Sequence, residues 1–313
     1  MSCNNQLSSS TSLSSSTSSF MKTLLSVGDL IDTSWDLFQK QFRTLLPISG
    51  WFLVSALLST IALFLYPSSR VLAFHTTLTQ GESFGVILYA VSTLILSPII
   101  GFWIYITLAR AGYKLIKNQP IQTTTLLQET KRYIVPVALV VVLVAVMLVW
   151  AQIMSVGPAV LLGAIAFWIK NTPLIILANL LLVVGLFVSL YFTTEWTVYY
   201  YYSPLASILD GSQKMEALKK SRSLIEGRFW GVLLRIIVPK LVFIGCMAFF
   251  IVLISMAVNL MIETFAGLNA DLYDRWTMVA NTLLPLISMM LIYPLLIISD
   301  VLLYQNLKGE VTS

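Results

Sequence analysis

The chain has 313 residues, 58% of them hydrophobic and only 11% charged. A soluble domain carries about a quarter charged residues, so this composition argues against a water-soluble enzyme and predicts a polytopic membrane protein. The net charge of +5 would suit nucleic acid, but the basic residues flank apolar runs instead of forming one soluble patch, which excludes nucleic acid as the expected partner and favours a membrane surface.

Residues 1–26 form a Ser/Thr-rich segment with too little apolar surface to offset the entropy of ordering, and a disordered tail is expected there. It has no basic start followed by an apolar stretch, so it is not a signal peptide. Met21 offers a second initiation site. Cys3 in this tail and Cys246 in an apolar run give neither a disulfide framework nor a metal spacing. His75 is the only histidine, which argues against a His-based metal centre.

From Asp29 to Arg43, Ile31, Trp35, Phe38 and Phe42 recur at spacings of four, three and four, the pattern of an amphipathic helix. Acids come early and bases late, as the helix dipole prefers. This helix is expected to lie at a membrane interface.

Six uncharged runs follow: Thr44–Tyr66, Phe84–Leu108, Tyr133–Met154, Leu174–Phe192, Leu241–Ile262 and Trp276–Ser299. Each approaches the ~20 residues that cross ~30 Å of hydrocarbon. Backbone groups must be satisfied internally in lipid, so these runs are expected to be helices. Gly157-Pro158 is expected to break the third, leaving residues 159–169 as an interfacial or re-entrant piece too short to cross. All but Arg70, Lys170 and Arg275 of the 19 Lys and Arg residues fall on one side of a six-span topology. The positive-inside rule then places both termini in the cytoplasm. Trp196 and Tyr199–Tyr202 have the character of an interfacial aromatic belt.

An internal repeat runs through this topology. Leu37, Gln39, Arg43 and Pro47 align without gaps on Leu126, Gln128, Arg132 and Pro136. A looser copy sets Leu224 and Phe229 against Leu37 and Phe42. The expected fold is all-α, with six transmembrane helices in three repeated hairpins, each preceded by an amphipathic interfacial helix. The membrane domain spans residues 27–308, followed by a short tail at 309–313.

Asp210 to Trp230 is the most charged stretch. It reads as one basic amphipathic helix with Asp210 and Ser212 or Gln213 at its start and a Glu216–Lys220 pair on its surface. Lys214, Lys219, Lys220, Arg222, Arg228 and Trp230 are the candidate contacts to membrane lipids or to a protein partner. Arg235 and Lys240 enter the fifth span where Asp300 leaves the sixth, so these three are candidates for an interfacial ion pair, with snorkelling to head groups as the plainer alternative. Glu195, just past the fourth span, is expected to be solvated. Polar residues inside the runs are neutral, including Ser97, Gln152, Asn179, Asn259, Asn281 and Ser288, and interhelical hydrogen bonds are their expected role. No phosphate-binding Gly loop, zinc spacing or nucleophile elbow occurs, so neither catalysis nor a cofactor is expected.

Ala217, Leu218, Ser221, Leu224, Gly227, Phe229 and Trp230, with Trp35-Asp-Leu-Phe and Phe42-Arg near the start, resemble a bacterial six-helix family. This family includes the membrane domain of membrane-anchored glycerophosphoryl diester phosphodiesterases and related stand-alone inner-membrane proteins. The phosphodiesterase itself is a separate barrel domain with metal-binding residues that this chain lacks, so the resemblance implies the fold and a cytoplasmic (inner) membrane location but no activity. The function expected is a non-enzymatic membrane platform or subunit, with a transporter or permease-like subunit as the alternative.

Overall fold

A computed structural model of the protein describes residues 24–67, 77–267 and 269–309. Residues 1–23, with Met21 and Cys3, lie outside it, as do Arg70 and His75. The described residues are helical, with no strand. Six of the helical stretches are long and apolar enough to cross a membrane, and the protein is an all-α, multi-pass membrane protein.

The first hairpin is preceded by α1 (Val27–Lys40) and α2 (Phe42–Ser49). It pairs α3 (Phe52–Leu65) with α4 (Gln80–Val91) and α5 (Ser97–Ile116). A π turn over Ser92–Leu96 joins α4 to α5. Pro98 follows it and has no N–H for the ladder, so the wider turn accommodates the missing bond. The second hairpin follows α6 (Thr123–Thr130) and a 3-10 turn at Lys131–Tyr133, and pairs α7 (Ile134–Ile169) with α8 (Thr172–Tyr199). The third follows α9 (Ser203–Asp210) and α10 (Lys214–Ile225), and pairs α11 (Phe229–Ala266) with α12 (Ala270–Lys308). In each repeat the helical path is interrupted at nearly aligned places: Gln41, Lys131–Tyr133 and Glu226–Arg228.

Three sequence expectations change. First, Gly157-Pro158 does not break the third span, because α7 is one helix of 36 residues with Pro158 inside it. Gly185 of α8 lets the neighbouring backbone approach α7 closely at Ser155, just before the proline. The turn to α8 is only Lys170, in the left-handed region (φ 53), and Asn171, whose side chain accepts from Leu174 N at 3.2 Å. Residues 159–169 therefore belong to the span.

Second, the charged stretch from Asp210 to Trp230 is not one helix. Gly211 (φ 71) and Gly227 (φ 80) cut it at both ends into α9, α10 and α11. Third, residues 24–26 are not part of a disordered tail. Leu25 is buried and donates its N–H to Asn306 Oδ1 at 3.1 Å, while Ser26 caps α1 by accepting from Asp29 N at 3.0 Å.

The helix from Asp29 onward ends at Lys40, so α1 is a separate helix packed on α11 and α12. Leu30, Ser34 and Phe38 form its buried line, while Ile31 and Trp35 flank that line in a groove. Lipid is as apolar as leucine, so spans gain nothing by hiding large side chains from it. Accordingly, Phe187, Leu190, Leu241 and Phe249 point outward, and small residues sit between helices. The interhelical role expected for Ser97 and Gln152 is seen: Ser97 meets Ser55 at 3.4 Å, and Gln152 donates to Thr193 at 2.5 Å and accepts from Ser189. Ser288 is buried, whereas Asn179 and Asn281 are exposed and Asn259 partly so, which is not the packing expected of them.

The best-packed core is at one end, where α1, α6, α9, α10 and the end of α12 converge on Leu30, Leu126, Leu205, Ile208 and Tyr304. That end carries nearly all of the basic residues. The α7–α8 hairpin is joined to the remainder mainly there, through α9 and α10.

Candidate functional site

The basic end is organised by three carboxylates. Glu129 of α6 accepts from Arg110 at 2.7 Å and Lys114 at 2.8 Å, with Arg132 at 3.7 Å. The guanidinium groups of Arg110 and Arg132 lie 4.6 and 4.8 Å from the Tyr133 ring centre. Asp210, at the end of α9, accepts from Lys220 at 2.7 Å, from Lys308 at 2.8 Å and from the Tyr304 hydroxyl. Asp300 of α12 accepts from Lys240 at 3.0 Å and from the Tyr201 hydroxyl at 2.8 Å. Glu129 thus ties α6 to the preceding helix, whereas Asp210 and Asp300 tie together helices distant in sequence.

Of the three candidates for the interfacial pair, the structure joins Lys240 and Asp300 but not Arg235. The Arg235 side chain donates instead to Leu25 O at 2.7 Å and Gly231 O at 2.9 Å, holding the segment that enters α1. Lys240 does not snorkel freely, since its ammonium also sits 4.4 Å from the Tyr201 ring centre. The expected aromatic belt holds only in part, since Trp196, Tyr199 and Tyr200 are half-buried while the other two tyrosines turn inward. Tyr202 is fully buried and Tyr201 faces Asp300.

The α10 helix is mounted on this base by a line of small and apolar residues. Ala217, Leu218, Ser221 and Ile225 are buried, recurring at helical spacing. The Ser221 hydroxyl donates to Tyr199 O at 2.7 Å and accepts from Tyr202 N at 3.2 Å, occupying backbone groups at the end of α8. No side chain caps the start of α10, so Asp210 and its neighbours do not serve as its N-cap. Asp210 instead closes α9 and receives Lys220, and the expected Glu216–Lys220 surface pair gives way to that inward contact.

Lys220 is therefore turned inward onto Asp210. The other four bases proposed for contact, Lys214, Lys219, Arg222 and Arg228, are exposed. Arg222 also lies over the Tyr199 ring, 5.7 Å from its centre. Trp230 is 73% exposed and meets Phe229 edge-on at 5.4 Å.

Beside Trp230, between α8 and α11, runs a groove of about 470 Å³ that Glu195 also lines. A second groove of about 500 Å³, almost wholly apolar, separates α1 from α11 and α12 near Trp35 and Cys246. Among the described residues, no group of three or more His, Cys, Asp or Glu side chains is placed to hold a metal ion.

Sequence reading missed Glu129, Tyr201, Tyr304 and Asn306 as anchors. Only Glu129 had a local signal, being an acid in a basic connection; the others close contacts across 94 to 281 positions. Comparison of the chain with known protein families, with curated proteins and with solved structures finds no match.

Proposed function

We propose that the protein is a non-enzymatic membrane platform of the bacterial cytoplasmic membrane, with its basic end and both termini in the cytoplasm. It presents α10 as a rigid, positively charged surface to anionic lipid head groups, and to an acidic partner held at that surface. The resemblance to the six-helix membrane domain belongs to this proposal. Ser221 and Gly227 of the resembling stretch are the residues that fasten α10 and turn the chain from it into α11.

The observation that carries the reading is the mounting of α10. Its apolar face, Ser221 and Lys220 are committed to the bundle, while Lys214, Lys219 and Arg222 are left outward. Each base near an anionic leaflet contributes about 1 kcal/mol. A transport or lipid-chemistry site would be supported by Arg235, Lys240 and Asp300 lining one cavity. Lys240 and Asp300 pair with each other instead, while Arg235 holds the segment entering α1, which favours the platform over the permease-like reading.

The test is purification in mild detergent with mass spectrometry of what travels with the protein. Wild type retains anionic lipid or a stoichiometric protein partner, and Lys214→Ala/Lys219→Ala/Arg222→Ala loses most of it while staying folded. Undiminished retention by the triple variant would overturn the reading.

A further inference from the structure

The groove between α8 and α11 combines features that point to one kind of ligand. Its walls follow the chain directions of the two helices. Because α8 ends and α11 begins at the basic end, Tyr199, Phe229 and Trp230 lie at the head of the groove. Glu195 lies one turn deeper, about 6 Å along α8 at ~1.5 Å per residue. Leu190 and Leu233 line the part that runs into the membrane.

The head of the groove is an aromatic corner, and Glu195 lines the same groove one turn below it. Tyr199 and Phe229 have ring centres 5.5 Å apart, and Phe229 meets Trp230 edge-on. Glu195 is partly buried in this wall and makes no ion pair with any described residue, unlike Glu129, Asp210 and Asp300. A carboxylate beside aromatic faces attracts an ammonium group both by charge and by the ring quadrupoles. At the rim, Arg222 sits over the Tyr199 ring and supplies the opposite charge.

The deeper part is apolar and open sideways: Leu190 is 65% exposed and Phe187 70%. An occupant therefore enters from the lipid phase and needs an acyl chain. The volume of about 470 Å³ is within the range of ligand pockets.

We propose that this groove binds one membrane phospholipid with an amine-bearing zwitterionic headgroup, of the phosphatidylethanolamine class. Its headgroup folds back, so that the phosphate stays at Arg222 on the rim while the ammonium reaches Glu195 below the Phe229–Trp230 corner, and one acyl chain lies along Leu190 and Leu233. The site shares Arg222 with the outward basic face of α10 but not Lys214 or Lys219, which take anionic lipid by charge alone. A headgroup with phosphate but no amine would face Glu195 without a counter-charge.

The experiment is native mass spectrometry of the full chain in detergent, exposed to equal amounts of phosphatidylethanolamine and phosphatidylglycerol. Wild type is expected to retain one phosphatidylethanolamine after activation that strips other lipid. Glu195→Gln and Trp230→Ala should each lower that retention roughly tenfold. Lys214→Ala/Lys219→Ala should lower phosphatidylglycerol retention alone, so failure of the platform reading is distinguishable from failure of this one. Equal retention of the two lipids by wild type, or undiminished phosphatidylethanolamine retention by Glu195→Gln, would overturn the proposal. Melting curves of each variant in the same detergent separate loss of the lipid from loss of the fold.

Discussion

Lys240 and Asp300, sixty positions apart, meet at 3.0 Å at the basic end of the third hairpin, with side chains 23% and 11% exposed. The pair closes α11 onto α12 where both helices leave their apolar runs. Tyr201 donates to the same carboxylate oxygen and so brings the end of the second hairpin to the third. One acid thus joins two hairpins, and the consequences of removing it differ from those of replacing the whole pair.

Asp300→Asn leaves a mostly buried ammonium without its counter-charge. Breaking such a pair from one side costs about 3–5 kcal/mol, whereas exchange of both partners for apolar residues of similar size is near neutral. Asp300→Asn should therefore lower the melting temperature in detergent markedly, and Lys240→Met/Asp300→Leu should recover most of the loss. A single variant as stable as wild type would mean that Lys240 has a free path to water.

Asp210 holds Lys220, Lys308 and Tyr304 at once. Asp210→Ala should release α10 and the end of α12 together, exposing two bases that wild type keeps turned inward. Limited trypsin digestion is the measurement, with faster cleavage at Lys220 and Lys308 expected in the variant. Unchanged cleavage at Lys308 would show that α12 is held there without the carboxylate.

Ser221 is the narrowest test of how α10 is mounted. Its hydroxyl serves Tyr199 O and Tyr202 N, and the latter is buried where water does not replace it. Ser221→Ala should cost about 1–3 kcal/mol by leaving those backbone groups unsatisfied. Hydrogen exchange at the Tyr202 amide should rise in the variant, while the α7–α8 hairpin stays protected.

The architecture was legible because its cause is local. Uncharged runs of spanning length, the sidedness of Lys and Arg, and periodic apolar faces each act within a few turns, and they recover the six spans and the helix before each hairpin. Two local signals were outweighed. Pro158 reads as a helix breaker when α7 is considered alone, but prolines are tolerated inside membrane spans and α7 runs through it, packed closely on α8 at Gly185. Gly211 and Gly227 divide the charged stretch at left-handed turns, a division hidden by reading the charges as one amphipathic pattern. The basic side chains were placed at the correct end but not assigned partners. Lys219 and Lys220 are adjacent and chemically identical, and only the fold, by setting Asp210 beside one of them, makes the first a surface charge and the second a tether.

The second hairpin depends on small residues facing each other, and two of its glycines make opposite predictions. Ala151, Ser155, Ala159 and Gly163 recur every four residues along α7, opposite Ala178, Gly185 and Ser189 of α8. A Cβ added at Gly185 would fall 2.5 Å from Ser155 O, which is backbone and has no side-chain freedom to yield. At Gly163 the nearest atom would be Ala178 Cβ at 3.6 Å, an ordinary contact. Gly185→Ala must push the helices apart, lengthening the Gln152–Thr193 and Gln152–Ser189 hydrogen bonds on the same interface. A cost of about 1–3 kcal/mol is expected for such overpacking. Gly163→Ala should be neutral, or slightly stabilising through helix propensity. Melting curves of the two variants in one detergent check this. If both were neutral, the close approach at Ser155 would not be setting the hairpin's spacing.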